Sequence, residues 1–239
     1  MRKWLRMMAL LCALTLLPVC AGAMDKNFTV RHGSREEKRI AITMDDCYDV
    51  SNVRRALDVC YENDVRLTFF VVGSAIKDKD AALWQEIVRE GFEIGNHTWS
   101  HPDLTTLSAR NAKYQLLRVQ QQLDQVLGYH YPMQVMRPPY GRTTPRGAGA
   151  ASMLLLDSIE QCGYRHVVKW DVSQIDPKKA VNAVQNGSIL LYHANIQDIH
   201  CLAALIPALK ERGFEFCTVS ELLNLEEIAT STDLYVYQP

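Results

Sequence analysis

The chain has 239 residues, of which 48% are apolar and 22% charged, with a formal net charge of −1. That length can bury one good-sized core but leaves little room for two. The balanced charge, with no basic stripe along the sequence, excludes nucleic acid as the partner.

At the N-terminus, Met1-Arg2-Lys3 and Arg6 precede an apolar run over residues 7–19 and the small residues Ala21-Gly22-Ala23. This is the basic, apolar and small-residue pattern of a secretory signal peptide, so residues 1–23 are read as a signal peptide and the mature protein as secreted, in the cell envelope or beyond. The run is shorter than the ~20 residues that span a bilayer, and no later segment is long enough. No membrane span is therefore expected after cleavage; an uncleaved anchor is the alternative. Losing Arg2, Lys3 and Arg6 takes the net charge from −1 to −4. Cys12 and Cys20 leave with the leader, and Cys47, Cys60, Cys162, Cys201 and Cys217 remain. An odd count without paired short spacing does not make a disulfide framework or a zinc finger, and buried small hydrophobes are the preferred reading.

Residues 24–37 are polar and aperiodic, a lead-in in which no chemistry is visible. From residue 38 onward short apolar runs alternate with stretches of helical period, the pattern of repeated β-α units around parallel strands. The predicted strands are 39–44, 65–72, 92–96, 134–137, 164–171, 188–192 and 215–219. Between the first two, Val53, Ala56, Leu57, Cys60 and Tyr61 fall on one helical face. Leu116, Val119, Leu123 and Val126 do so within 108–127, and Leu202, Leu205, Ile206 and Leu209 near the end. Gly91, Gly128, Gly163 and Gly213 each follow a helical stretch, as left-handed caps require. About seven strand-helix units in this length imply an α/β fold with barrel-like closure, one domain over 38–225. Residues 226–239 read as a tail that lies on the surface or is poorly ordered.

The reactive side chains fall at strand ends. Asp45 and Asp46 follow the first strand, His97 and His101 the third and His193 the sixth, while Arg137 closes the fourth and Asp171 the fifth. In a parallel barrel these carboxyl ends share one rim, where such folds build active sites. In His97-Thr98-Trp99-Ser100-His101, two imidazoles four apart on a helical turn point the same way and can share a metal. Asp46 is the third ligand of choice, leaving open positions as hydrolytic sites do; the alternative is a pair of surface histidines. With a cation on Asp46, Asp45 is free to act as a general base. Alternatively, the two acids open the helix near Ser51. Arg137, held by Pro138-Pro139, would orient Asp45 and lower its pKa, unless it is a surface Arg on a proline turn. His193 ends a very apolar strand and, opposite a metal and a base, can protonate a leaving group; alone it would read as a core histidine. His32, His130, His166 and His200 have no such company.

Taken together, Thr43-Met44-Asp45-Asp46, the His97 to His101 pentapeptide, Arg137-Pro138-Pro139-Tyr140, Trp170 to Asp176 and Leu191-Tyr192-His193 resemble, in order, the five motifs of the polysaccharide deacetylases of carbohydrate esterase family 4. The resemblance implies a distorted (β/α) barrel with fewer than eight strands. It implies a divalent metal, zinc or cobalt-like, on Asp46, His97 and His101. It makes Asp45 the base, His193 the acid and Arg137 the partner of the base. The Tyr140 backbone N–H would face the oxyanion, Leu191 the acetyl methyl, and Trp170 the substrate. The sequence departs from the family at Met44, which replaces an aromatic, and at Cys47, where Gly is usual. It departs further at Ser173, where an acid usually tunes the catalytic His, and at Pro177, where Trp is usual. Asp171 or Asp176 is the candidate substitute for the missing acid.

The expected function is removal of acetyl groups from N-acetylated sugars of an extracytoplasmic polysaccharide, peptidoglycan or chitin-like, by a monomer. The alternatives are a non-catalytic glycan-binding relative, to which Ser173 and Pro177 lend weight, and a metal-dependent amidase on a small molecule.

Overall fold

The computed structural model describes residues 28–237, so the predicted signal peptide lies outside the described residues. The strands are β1 (Thr29–Val30), β2 (Arg39–Asp46), β3 (Thr68–Val71), β4 (Glu93–Asn96), β5 (Val135–Met136), β6 (His166–Val168), β7 (Ile189–His193) and β8 (Glu215–Phe216). The helices are α1 (Val50–Glu62), α2 (Ala81–Arg89), α3 (Ala109–Leu127), α4 (Met153–Glu160), α5 (Pro177–Ala183), α6 (Ile196–Glu211) and α7 (Val219–Leu222). All named strand pairs are parallel, in the order β1-β6-β5-β4-β3-β2-β7, with β8 also on β2. All seven predicted strands are present. An eighth, β1, lies in the polar, aperiodic lead-in, where no strand is predicted. Two residues are too short to show a period, and β1 is held by its register on β6, Thr29 against Val167 and Val30 against Val168.

The sheet closes on itself where Val172, beyond β6, bridges Leu190 of β7 in parallel. Asp171 makes that seam. Its carboxylate accepts the Ile189 N–H at 2.9 Å, the Ser188 hydroxyl at 3.0 Å and the Arg35 guanidinium at 2.7 Å. A side chain thus supplies ladder bonds where the two strands diverge. Asp171 is therefore a structural latch and not one of the reactive residues of the rim, which corrects its placement from sequence.

Strand alternation decides what faces inward. Ile40, Ile42 and Met44 pack outward under the helices, while Ala41 joins Phe70, Val135, Val168 and Ile189 in the smaller core inside the barrel. By the same parity Thr43 and Asp45 of β2, Arg137 after β5, Trp170 after β6, and Leu191 and His193 of β7 point into the upper interior. Gly95 is small for a reason: a Cβ there would sit 2.6 Å from the Phe70 ring.

The outer layer follows the predicted faces. α1 buries Val53, Ala56, Leu57 and Cys60, and its N-cap is Asp49, whose side chain accepts the Ser51 N–H. Asp45 and Asp46 are thereby released from the capping role they could have had. α3 starts at the Ser108 cap and ends at Gly128, left-handed at φ 82°. The five cysteines expected in the mature chain are all free, and all but Cys162 are buried. The tail is on the surface but tied down. His130 and Ser231 exchange backbone bonds of 2.7 and 3.2 Å, and the Tyr235 N–H donates to buried Asp124 at 3.0 Å. No helix among the described residues is long and apolar enough to cross a membrane.

Candidate metal centre and active site

Six of the seven residues expected on the rim meet there. Asp46 ends β2, and His97 and His101 leave β4; one ligand atom from each lies within 4.8 Å of the others. Asp46 Oδ1 is 3.6 Å from His97 Nε2 and 3.4 Å from His101 Nε2. Bonds of ~2.0–2.1 Å in tetrahedral arrangement put ligand atoms roughly 3.4 Å apart, so each nitrogen stands from the carboxylate oxygen as two ligands of one zinc-like cation would. The same Oδ1 is buried without a hydrogen-bond partner. A buried orphan acceptor costs about 1–3 kcal/mol, and a cation would satisfy it. His97 is oriented by its other nitrogen, whose N–H donates to the Arg137 carbonyl at 2.7 Å and leaves the Nε2 lone pair facing Asp46. Burial pulls the His97 pKa down against the nearby Asp45 and Asp46, which favours the neutral imidazole that can ligate.

The two histidines do not sit on a helical turn, as the four-residue spacing had suggested. Thr98 (φ 70°) and His101 (φ 60°) are left-handed, and the Thr98 hydroxyl accepts the His101 N–H at 3.1 Å. A strained loop brings the rings to 4.9 Å. Asp46 (φ 73°), Cys47 (φ 60°) and Tyr140 (φ 62°) share that backbone state. Cys47 thus occupies a left-handed position that suits a residue without Cβ.

Asp45 is held on one oxygen and free on the other. Arg137 Nη1 donates to Asp45 Oδ1 and to the Thr43 hydroxyl, each at 2.6 Å, while Nε and Nη2 donate to the Val168 and Lys169 carbonyls. The guanidinium lies 4.2 Å over the Phe70 ring and is fully buried. Burial lowers the Arg137 pKa, and Asp45 opposes that. Asp45 Oδ2 lies 3.7 Å from His97 Nε2, on the side of the triad. Arg137 is therefore the buried partner of Asp45 and not a surface residue.

On the neighbouring strand β7, His193 is the register partner of Asp45, and Leu191 that of Thr43. The Trp170 ring covers Gly141, where a Cβ would meet it at 2.7 Å, and the Tyr140 ring stands edge-on to His101 at 4.9 Å.

Asp198 was missed from sequence. Its Oδ2 accepts the His193 backbone N–H at 2.7 Å and lies 3.2 Å from His193 Nδ1. Neither expected substitute has that position: Asp171 is the seam latch, and Asp176 caps α5 by accepting the Lys179 N–H. The available signal was Asn195-x-x-Asp198, an N-cap residue with an acid three on, which places a carboxylate back over the residues entering α6.

The family model described as polysaccharide deacetylase matches residues 32–167 of this chain. The chain belongs to the polysaccharide deacetylase family. Among relatives of this deacetylase-family chain, the peptidoglycan-N-acetylglucosamine deacetylase PgdA of Listeria monocytogenes is 32% identical over 197 residues, covering 79% of this chain and 40% of that protein. The peptidoglycan-N-acetylmuramic acid deacetylase PdaA of Bacillus subtilis is 29% identical over 208 residues, covering 82% of this chain and 75% of that one. The solved structure of PdaA, a family 4 carbohydrate esterase, superposes with a TM-score of 0.71 at 28% identity, over 82% of this chain and 85% of the other. A family 4 pseudoenzyme from Bacillus anthracis shares the fold, with a TM-score of 0.70 at 22% identity over 82% of this chain and 68% of that one. The deacetylase fold alone therefore does not establish catalysis, and the side chains of the site have to carry it.

Proposed function

We propose that this protein is a secreted, divalent-metal-dependent deacetylase that removes acetyl groups from N-acetylated sugars of an extracytoplasmic polysaccharide, with peptidoglycan the first substrate class. The observation that carries the reading is the orphaned Asp46 Oδ1 between His97 and His101, with Asp45 next to it and His193 the register neighbour of Asp45 on β7. Asp46, His97 and His101 would hold the cation, zinc by its two-nitrogen, one-oxygen set, with cobalt as a substitute. Bound there, it would supply Lewis-acid polarisation of the acetyl carbonyl and acidify a water.

The remaining chemistry belongs to the chain. Arg137 occupies Asp45 Oδ1 and holds the carboxylate still, so Oδ2 is the atom that takes the proton of the attacking water. In the Pro138 to Arg142 turn, the Gly141 and Arg142 N–H groups donate to the Pro138 and Pro139 carbonyls. The Tyr140 N–H is the donor we assign to the developing oxyanion. His193, nearly half exposed and facing Asp45 across the strand pair, gives its proton to the leaving sugar nitrogen. Leu191, 8% exposed inside the barrel, and Trp170 form the wall for the acetyl methyl and the sugar.

Zinc-loaded protein incubated with N-acetylated peptidoglycan should release acetate, and both Asp45→Asn and His101→Ala should abolish release. Glycan binding without acetate from any metal form would make the chain a non-catalytic relative. Turnover of cyclic amides alone would make it a small-molecule amidase.

A further inference from the structure

The structure assigns to Asp198, on the first turn of α6, the positioning and charging of His193, a role for which the Trp170 to Asp176 motif has only Ser173 at the usual position. The inference rests on the deacetylase reading of the site and names a residue that none of its five motifs contains.

The segment from His193 to Asp198 is closed on itself. The Asn195 N–H donates to the His193 carbonyl at 2.7 Å, and the Asn195 side chain accepts the Asp198 N–H at 2.9 Å. The Asp198 carboxylate then reaches back past its own helix cap to both the backbone N–H and the ring of His193. Two contacts to Oδ2 thus hold the carboxylate beside the imidazole. Its side chain is 8% exposed while that of His193 is 47% exposed, so the acid is buried behind the imidazole and the imidazole opens toward solvent and substrate. Ser173, by contrast, lies exposed on the loop after β6.

Two consequences follow. With Nδ1–H directed at Asp198, the outward nitrogen is Nε2, which sets the atom that meets the leaving nitrogen. The charge of the ring is also set. The groups facing His193 are Asp198 from α6 and Asp45 and Asp46 from β2, all acidic. The hydrogen bond to Asp198 raises the His193 pKa most, and burial opposes it. Asp198 itself would be raised by burial, but its bonds from the His193 ring and backbone hold it below the usual carboxylate range. Asp198 touches no reacting atom, so it acts through His193 alone.

The test follows the His193 imidazole by NMR in zinc-loaded protein, assigned with His193→Gln, beside steady-state acetate release across pH. In Asp198→Asn, which still accepts the backbone N–H, the His193 titration should lie at lower pH than in the wild type, and the alkaline limb of kcat should follow it. At neutral pH kcat should fall roughly 10²-fold with KM little changed, and Asp198→Glu should recover part of the loss. An Asp198→Asn profile that matches the wild type while acetate release continues overturns the inference, an outcome that leaves the deacetylase reading intact. If no acetate is released, that reading fails while the titration still decides the His193–Asp198 pair.

Discussion

The two ends of the barrel each bury a carboxylate, and they treat it in opposite ways. At the lower end Glu93 of β4 accepts the Thr68 hydroxyl at 2.7 Å and the Ser220 N–H at 3.2 Å, with the Ser220 hydroxyl as a further donor. Only neutral donors surround it, and burial raises its pKa. At the upper end Asp45 faces a buried Arg137. Backbone strain is divided in the same way. Of seven left-handed non-glycine residues among those described, Asp46, Cys47, Thr98, His101 and Tyr140 lie at the candidate metal centre; Asp64 and Asn224, residue types that tolerate that conformation, lie elsewhere. One end uses its buried polar groups to lock α7 onto the sheet. The other keeps an orphan acceptor, an unshared carboxylate oxygen and a strained backbone, the features that cost stability and serve chemistry.

The largest effect that sharpens this contrast is on activity. Asp45→Asn should lower acetate release by ~10³-fold or more and, by leaving the buried Arg137 without its counter-charge, should also lower the melting temperature, whereas Glu93→Gln should leave release unchanged. Equal losses from both would erase the distinction. Next, Arg137→Ala strands Asp45 as an uncompensated buried charge and should cost about 3–5 kcal/mol in urea unfolding. Glu93→Ala removes an acceptor from neutral donors only and should cost about 1–3 kcal/mol. A reversed order would mean that the upper pair is not the more polar burial.

The pH dependence of stability has a definite sign at the lower end. Because the folded pKa of Glu93 lies above its ordinary 4.5, the folded chain holds more protons than the unfolded one as pH rises from that value through the raised one. Its contribution is present below that window and is lost across it, so stability should fall with rising pH there. Glu93→Gln should flatten this slope in unfolding curves measured at successive pH values. The smallest effect is at Tyr140, which is 62% exposed. Tyr140→Gly relieves a left-handed residue and should add ~1 kcal/mol, or ~2–4 °C of melting temperature, while lowering acetate release.

Much of this contrast is legible in the sequence because the upper-end residues lie where apolar runs stop. Asp45, Arg137 and His193 each end or follow a buried strand, and strand parity turns all three inward. Two kinds of feature were not legible. The first depends on closure: Asp171 has the same strand-end address, yet the seam between Val172 and Leu190 takes it, and only the assembled barrel shows that. The second depends on short local geometry. β1 is two residues long, the turn of His97 to His101 is left-handed instead of helical, and Asp198 reaches His193 backwards over a helix cap. Periodicity carries no information at that scale.

The central claim is that Asp46, His97 and His101 form one metal site. Calorimetric titration of metal-stripped protein with zinc tests it most directly. The expected result is one ion per chain in the wild type and in Asp198→Asn, with that binding lost in Asp46→Ala and in His101→Ala. No zinc binding by the wild type, or undiminished binding by both triad variants, would contradict the account.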